Sequence, residues 1–171
     1  DRREALVAAQ APLKDSYRAD PAAAVVTLRA EGTLGDEEVS CSVDTGRQLV
    51  EAGLHPASGG PGTLACSGDM LLQALVACAG VTLRAVATSM GLDVTGTVHA
   101  EGDLDFRGTL GVDKQAPVGF RDIRLTFDLT TDADADQLAG LVKLTERYCV
   151  VLQTLRQSPA TSVRVTGGTA G

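Results

Sequence analysis

The sequence predicts an α+β fold in one domain. Strand-like stretches come first, a long apolar helix follows, and two further strands, a second helix and a closing strand complete the order. Strands and helices that do not alternate along the chain are typical of the α+β class rather than of a parallel sheet. A chain of 171 residues fits one domain, because two halves would each have a thin core.

The amino-terminal part is predicted to be a separate arm. Residues 1–20 are charged at both ends with an apolar patch between them, which favours an arm or short helix that ends before Pro21, and we assign this arm to residues 1–22. The main domain is expected at 23–167, and the Gly-rich residues 168–171 are expected to form a flexible tail.

Short strands and a long loop should precede the main helix. The runs 23–30 and 37–43 are typical of a hairpin with its turn at 32–35, and 46–50 can form a third strand. The stretch 53–68 is rich in Gly and Pro and predicts a loop. Loops of this length are uncommon unless they build a site.

A long helix over 69–90 is the strongest local prediction. Apolar residues occur on nearly every side of this segment, so we expect the helix to be mostly buried. Ser67 or Asp69 can cap its start, and Gly91 fits the position just past its end.

Two half-exposed antiparallel strands should follow this helix. Apolar and polar residues alternate over 94–104 and again over 120–129, with the polar loop 105–119 between them.

A second helix is predicted to begin at Thr131 or Asp132. Several acidic residues in its first turns suit the helix dipole. The run 150–155 can continue as a further helical turn, and 162–165 can form a closing strand. One face of the second helix carries Leu138, Leu141, Val142, Thr145, Tyr148 and Cys149.

Composition excludes several classes of function. The formal net charge of −7 disfavours non-specific binding to nucleic acid and to anionic membrane surfaces. No segment reaches the roughly 18 uninterrupted apolar residues of a membrane span, and the start lacks the apolar stretch of a signal peptide. We therefore expect a cytoplasmic protein with no nucleic-acid or membrane partner.

Two of the four cysteines stand out. Cys78 lies midway along the apolar helix, where a free cysteine is most often an inert core residue, and it is more than two turns from that helix's amino end. Cys149 follows Arg147 at the end of a helical run, where an arginine and a helix terminus can lower a thiol pKa. A core position beneath the sheet is the alternative for Cys149.

The remaining candidates are less specific. Cys66 lies in the Gly-rich loop, where it can have no function or can be a gate residue at the entrance of a site. Cys41 lies in a predicted strand, where we expect it to be a packing residue. His55, in the same loop as Cys66, is most simply a surface imidazole. A metal site formed by Cys66, His55 and Cys149 is a further hypothesis, although none of the spacings is that of a zinc finger. No metal or cofactor is expected.

Two segments resemble the OsmC/Ohr family. Residues 68–83, GDMLLQALVACAGVTL, are similar to its central helix signature, in which an acid opens the helix and a Leu-Leu-x-Ala-Leu run precedes the catalytic cysteine. Residues 145–151, TERYCVV, resemble its second cysteine motif, and the Gly59-Gly60 loop resembles that of an uncharacterised OsmC-like branch. The resemblance covers roughly residues 23–165.

This resemblance implies a fold and a reaction. The fold would be an antiparallel sheet with a long buried central helix, in an intertwined homodimer. The activity would be reduction of organic hydroperoxides or hydrogen peroxide in oxidative-stress defence, with an external dithiol as reductant. Cys78 would be the peroxidatic cysteine, Cys149 the resolving cysteine, and Asp69 the acid that opens the helix.

Substrate contacts are implied less specifically. Family members stabilise the thiolate with an arginine from the amino-terminal half, so Arg47 is one candidate substrate-binding residue, together with His55 and Arg107. A second hypothesis is a non-catalytic OsmC-like module that binds an apolar small molecule between its helices. In that case replacing Cys78 by Ser would leave ligand affinity unchanged.

Overall fold

The computed structural model describes residues 1–20, 22, 31–34, 40–44, 49–111 and 113–169. Within these residues helices and strands follow one another without regular alternation, which confirms the α+β class. The first helix, α1, spans Arg2–Ala19 and packs against the long helix described below. The strand predicted at 23–30 lies outside the described residues.

Four strands of the first half form one sheet, in the order β1-β2-β3-β4. β1 (Glu31–Leu34) pairs antiparallel with β2 (Ser40–Asp44), and β2 pairs antiparallel with β3 (Leu49–Gly53). β4 (Ala65–Cys66) joins β3 in parallel. The turn predicted at 32–35 is wrong in position, because residues 31–34 belong to the β1–β2 ladder.

The predicted loop before the main helix contains two short ordered pieces. One is β4, and the other is a single 3₁₀ turn, Pro56–Ser58, capped by the His55 side chain. The backbone N–H of Ala57 donates to His55 Nδ1 at 3.0 Å. Gly59 ends the turn with φ 94°, a left-handed conformation that favours glycine.

The long helix α2 spans Ser67–Met90. Its N-cap is Cys66, which makes no side-chain capping bond. The prediction that Ser67 or Asp69 caps the helix is wrong, because both residues already lie inside its first turn. The prediction for the carboxyl end is confirmed, because Gly91 ends α2 with φ 69°. The residues buried on one side of α2 recur every four positions: Leu75, Ala79, Leu83 and Ala87.

The other side of α2 is largely uncovered by the residues that the structure describes. The helix is long and apolar enough to cross a membrane by length and composition, a test that core helices of soluble proteins also pass. Only 22% of its most apolar 18-residue stretch is buried, and the Val81 side chain is 72% exposed. The prediction of a mostly buried helix is therefore wrong for the isolated chain, because α1 leaves the side around Val81 largely exposed.

The next two strands form a separate two-stranded sheet. β5 (Val94–Asp103) pairs antiparallel with β6 (Asp122–Thr131), and the short helix α3 (Phe106–Thr109) lies in the loop between them. One face of this sheet packs on α2. A two-stranded ribbon is only marginally stable alone in water, so this packing holds the strands in place.

The helix α4 spans Ala135–Tyr148 and begins with a capping box. The Gln137 backbone N–H donates to the Asp134 carboxylate at 2.8 Å, and the Asp134 N–H donates to Gln137 Oε1 at 3.0 Å. The start predicted at Thr131 or Asp132 is wrong, because Thr131 is still paired in the β5–β6 ladder.

A further helix, α5 (Val150–Arg156), follows α4 directly and confirms the predicted extra turn. The chain then runs on without regular structure. The strand predicted at 162–165 is wrong, since this segment pairs with no strand in the described part of the chain. Val163 is 95% exposed and Val165 is 89% exposed.

The buried core consists of two neighbouring clusters, both built on α2. The first joins the carboxyl end of α2 to β5 and α4 through Leu83, Ala87, Val94 and Leu141. The second joins the middle of α2 to α5 through Leu75, Ala79 and Cys149. Tyr148, which was predicted on the buried face of α4, is 60% exposed.

Candidate active site

Cys78 and Cys149 lie together in the second core cluster. Cys78 is half-buried in the middle of α2, on the side that packs against the sheet and α5. Cys149 is fully buried beside Leu75 and Ala79. Both thiols are free, and the two residues are close enough for each to influence the pKa of the other.

A break in the helical backbone carries Cys149 to this position. Cys149 ends α4 and begins α5, and its φ of −72° and ψ of 107° are extended rather than helical. Its N–H donates to the Thr145 carbonyl at 3.0 Å, and the first hydrogen bond of α5 runs from the Gln153 N–H to the Cys149 carbonyl at 2.9 Å. The intervening backbone N–H groups of Val150 and Val151 are thus available to other acceptors.

The Cys78 sulfur is one such acceptor. Burial raises the pKa of the Cys78 thiol, but hydrogen bonds from the Val151 N–H, the Cys149 side chain, the Thr82 hydroxyl and the Val150 N–H together outweigh burial. The resulting pKa lies below the ordinary value for cysteine. A hydrogen bond to the ionised form favours that form, so these donors stabilise the thiolate.

The pKa of Cys149 moves in the opposite direction. Burial raises it, and the neighbouring Cys78 sulfur raises it further, while the N–H groups of Leu152 and Val151 only partly oppose the rise. Of the two thiols, Cys78 therefore ionises at the lower pH and Cys149 at the higher pH. The local sequence suggested a lowered pKa for Cys149, whereas the family resemblance implied an ionised Cys78, and in the structure it is the pKa of Cys78 that is lowered.

The source of thiolate stabilisation also differs from the expectation. A cation beside Cys78 was expected, whereas the groups that lower its pKa in the described structure are neutral hydrogen-bond donors. The amino end of α2 is too far away to help, but that of α5 is adjacent. Thr82 was missed as well, although its position one helical turn after Cys78 was visible in the sequence.

His55 and Asp69 lie at a second location, together with Cys66. All three line a small cavity of about 300 Å³ between the 3₁₀ turn and the start of α2. The His55 ring stacks on Phe106 with ring centroids 5.2 Å apart. Asp69 is exposed in the first turn of α2. Nine residues of helix separate Asp69 from Cys78, about 13 Å along the axis, so the structure does not bring the two together.

The structure does not describe the side chains of the two candidate arginines. Arg47 lies outside the described residues, and Arg107 belongs to α3 with a side chain that is likewise outside them. Cys41 lies in β2, in register with Ala52 of β3.

The described residues contain no site of the kind that the metal hypothesis requires. No group of three or more His, Cys, Asp and Glu side chains able to hold a metal ion occurs there. Cys149 lies in the core cluster, whereas Cys66 and His55 line the small cavity, so the three proposed ligands are not assembled.

A larger cavity of about 670 Å³ adjoins the sulfur pair. It lies between β6, α4, α5 and the first half of α2. Leu75 and Leu152 line this cavity and also pack in the cluster that contains Cys149. The walls are mainly apolar, and charged side chains stand among them. The apolar wall consists of Leu71, Leu75, Phe120, Ile123, Leu125, Phe127, Val142, Leu152 and Leu155, and the charged groups are Arg121, Asp122, Glu146 and Arg156.

Comparison with known proteins agrees with the sequence resemblance. The family model described as OsmC-like protein matches residues 60–164, which includes both cysteines of the pair. No curated protein matches the chain significantly.

Several solved structures are similar in fold. An OsmC-like protein from Mycoplasma pneumoniae has a TM-score of 0.64 at 16% identity, covering 78% of this chain and 89% of that one. An organic hydroperoxide resistance protein from Elizabethkingia anophelis has a TM-score of 0.54 at 16% identity, covering 78% and 91%. Another, from Bacillus subtilis, has a TM-score of 0.50 at 20% identity, covering 79% and 94%.

Proposed function

Because this chain belongs to the OsmC-like protein family, we propose that it is a thiol peroxidase that reduces organic hydroperoxides or hydrogen peroxide in defence against oxidative stress. The observation that supports this proposal is that Cys78 and Cys149 lie in one core cluster, where the pKa of Cys78 is lowered and that of Cys149 is raised. Two similar structures are those of proteins named for organic hydroperoxide resistance.

In the first step the Cys78 thiolate attacks the hydroxyl oxygen of the hydroperoxide. A sulfur–oxygen bond forms, the O–O bond breaks, and the departing alkoxide takes a proton from solvent and leaves as the alcohol. Cys78 is oxidised by two electrons to a sulfenic acid, and the peroxide is reduced by the same two electrons. A lowered pKa increases the ionised fraction of the attacking sulfur without a separate base.

In the second step Cys149 resolves the sulfenic acid. Its sulfur attacks the Cys78 sulfur, a disulfide forms, and hydroxide leaves as water with the Cys149 proton. The Cys78 charge opposes Cys149 ionisation before the reaction, and this opposition ends when Cys78 becomes a neutral sulfenic acid. An external dithiol then reduces the disulfide and is itself oxidised to a disulfide.

The cavity of about 670 Å³ suits the organic part of such a substrate. Its leucine, isoleucine and phenylalanine side chains would cover an alkyl chain, and Leu75 connects the cavity wall to the Cys78 cluster. The charged side chains among its walls, Arg121 and Arg156 among them, would remain beside any polar end of the substrate.

The direct test measures consumption of an alkyl hydroperoxide with a dithiol reductant. The Cys78→Ser variant should lose turnover, and Cys149→Ser should consume about one equivalent and accumulate sulfenic acid or mixed disulfide. Cys66→Ser is the matched control, because Cys66 lines a different cavity, and it should turn over like the wild type. Undiminished turnover by Cys78→Ser would refute the proposal.

A non-catalytic binding module is the second candidate function. The observation that favours it is that the larger cavity is lined by neither Cys78 nor Cys149, so ligand binding there does not require the thiols. Under this hypothesis Cys78→Ser retains the affinity for an alkyl ligand measured by calorimetry, and no hydroperoxide is consumed by the wild type. Rapid dithiol-dependent turnover by the wild type would exclude it.

We also propose that the chain works as a homodimer in the cytoplasm. The exposed side of α2 around Val81 and the exposed Val163 and Val165 leave apolar surface that a second copy can cover. A cytosolic location suits three free cysteines in the described residues. Sedimentation velocity should give twice the chain mass, and a purely monomeric species at micromolar concentration would contradict the dimer.

A further inference from the structure

Thr82 differs from the other threonines of α2, α4 and α5. Thr88, Thr145 and Thr154 each donate their hydroxyl to the backbone carbonyl four residues earlier, all at 2.8 Å. This back-bonding is the usual arrangement for a helical threonine. The hydroxyl oxygen of Thr82 lies instead 4.0 Å from the sulfur of Cys78, also four residues earlier.

The position of Thr82 is otherwise poorly suited to its residue type. Threonine is a weaker helix former than alanine or leucine, and Thr82 stands in a helix whose other inward positions are almost all aliphatic. It is half-buried, so its hydroxyl is partly removed from water and gains from an acceptor inside the protein. The acceptor within reach is the Cys78 sulfur.

We propose that Thr82 is a thiolate-stabilising residue that donates a hydrogen bond to ionised Cys78. The inference rests on the proposed function and adds a residue to it. Thr82 approaches from α2 itself, whereas the N–H groups of Val150 and Val151 approach from α5, so the sulfur is held between two elements. Thr82 transfers no proton and forms no covalent bond during the reaction.

The contribution of Thr82 can be separated from its packing. Thr82→Val keeps the shape and removes the hydroxyl, and Thr82→Ser restores the hydroxyl without the methyl group. Thr88→Val is the matched control in the same helix, because its hydroxyl bonds only to the Arg84 carbonyl. The readout is thiolate ultraviolet absorbance against pH, with all variants in a Cys66→Ser background.

The titration should single out Thr82→Val. At a fixed pH below the wild-type midpoint, its thiolate fraction should fall about two- to tenfold, the range expected for loss of one hydrogen bond. Thr82→Ser and Thr88→Val should follow the wild-type curve. Cys149 is the titratable partner that faces Cys78, so the experiment is repeated with Cys149→Ser, and the effect of Thr82→Val should persist.

Failure of this inference is distinguishable from failure of the proposed function. If Thr82→Val titrates like the wild type while wild-type Cys78 is ionised near neutral pH, the role of Thr82 is refuted and the peroxidase proposal stands. If Thr88→Val shifts the curve as much as Thr82→Val, the effect is not specific to Thr82 and the inference is refuted. A wild-type Cys78 that stays protonated at neutral pH would overturn both.

Discussion

The backbone donors of α5 can be removed one at a time by proline. Val150 and Val151 occupy the first turn of α5, where backbone N–H groups have no carbonyl partner within the helix and proline is tolerated. Val151→Pro deletes the N–H that contributes most to lowering the pKa of Cys78, and Val150→Pro deletes the weakest contributor. The two variants are therefore a matched pair with similar chemistry.

The size of the effect follows from one charge-assisted hydrogen bond. Such a bond contributes about 1.5 kcal/mol at the lower end of its range, so its loss should cut the thiolate fraction below the midpoint about tenfold. A thiolate of higher pKa is also more nucleophilic. With a Brønsted slope near 0.5, the remaining thiolate of Val151→Pro should react roughly threefold faster per molecule, which offsets part of the tenfold loss. Val151→Pro should thus react about threefold more slowly than the wild type at low pH.

The assay is the rate of Cys78 alkylation by iodoacetamide against pH, followed by peptide mass spectrometry in a Cys66→Ser background. Above both midpoints Val151→Pro should react faster than the wild type, so the two profiles cross. Simple damage to the fold would shift the rate in one direction at every pH and cannot produce a crossing. Parallel profiles, or a larger effect for Val150→Pro than for Val151→Pro, would refute the assignment of the Val151 N–H as the main donor.

Two further outcomes concern stability. Leu75→Ala should lower the free energy of unfolding by about 2–5 kcal/mol, because Leu75 is fully buried beside Cys149. Leu71→Ala should lower it by less, because Leu71 is 38% exposed. Urea unfolding measures both losses, and equal losses would contradict the assignment of Leu75 to the core. In reduced protein the lowered pKa of Cys78 should make stability decline as pH falls through its folded-state value. The raised pKa of Cys149 should make stability decline as pH rises above its unfolded-state value. Unfolding across pH should show the acid-side decline disappear in Cys78→Ser and the alkaline-side decline disappear in Cys149→Ser, and unchanged curves would contradict these pKa directions.

Much of the fold followed from patterns that depend on one segment at a time. The apolar run that forms α2, the glycine that ends it and the alternation that forms β5 and β6 each carry their signal locally. The start of α4 was placed too early because several polar residues there can all cap a helix, and only the β5–β6 ladder decides that Asp134 does so.

The candidate site was predictable in its cysteines and not in their surroundings. Cys78 and Cys149 were marked by sequence motifs, but which thiol is ionised depends on burial and on donors that come from a different element. Backbone N–H groups carry no residue identity, so the role of Val151 has no signature in the sequence. The Thr82 hydroxyl could donate either to a backbone carbonyl or to the Cys78 sulfur, and the sequence does not indicate which acceptor it faces in the folded helix.

The interruption at Cys149 has a consequence for the whole site. If the backbone stayed helical through this residue, the N–H groups of Val150 and Val151 would bond to carbonyls of the preceding turn and would be lost to the sulfur. The carbonyl of Glu146, which would accept from Val150 in that case, accepts instead from the Gln153 side chain at 2.7 Å. A single extended residue thereby frees two backbone N–H groups, which would otherwise only continue a helix, to donate to the Cys78 sulfur.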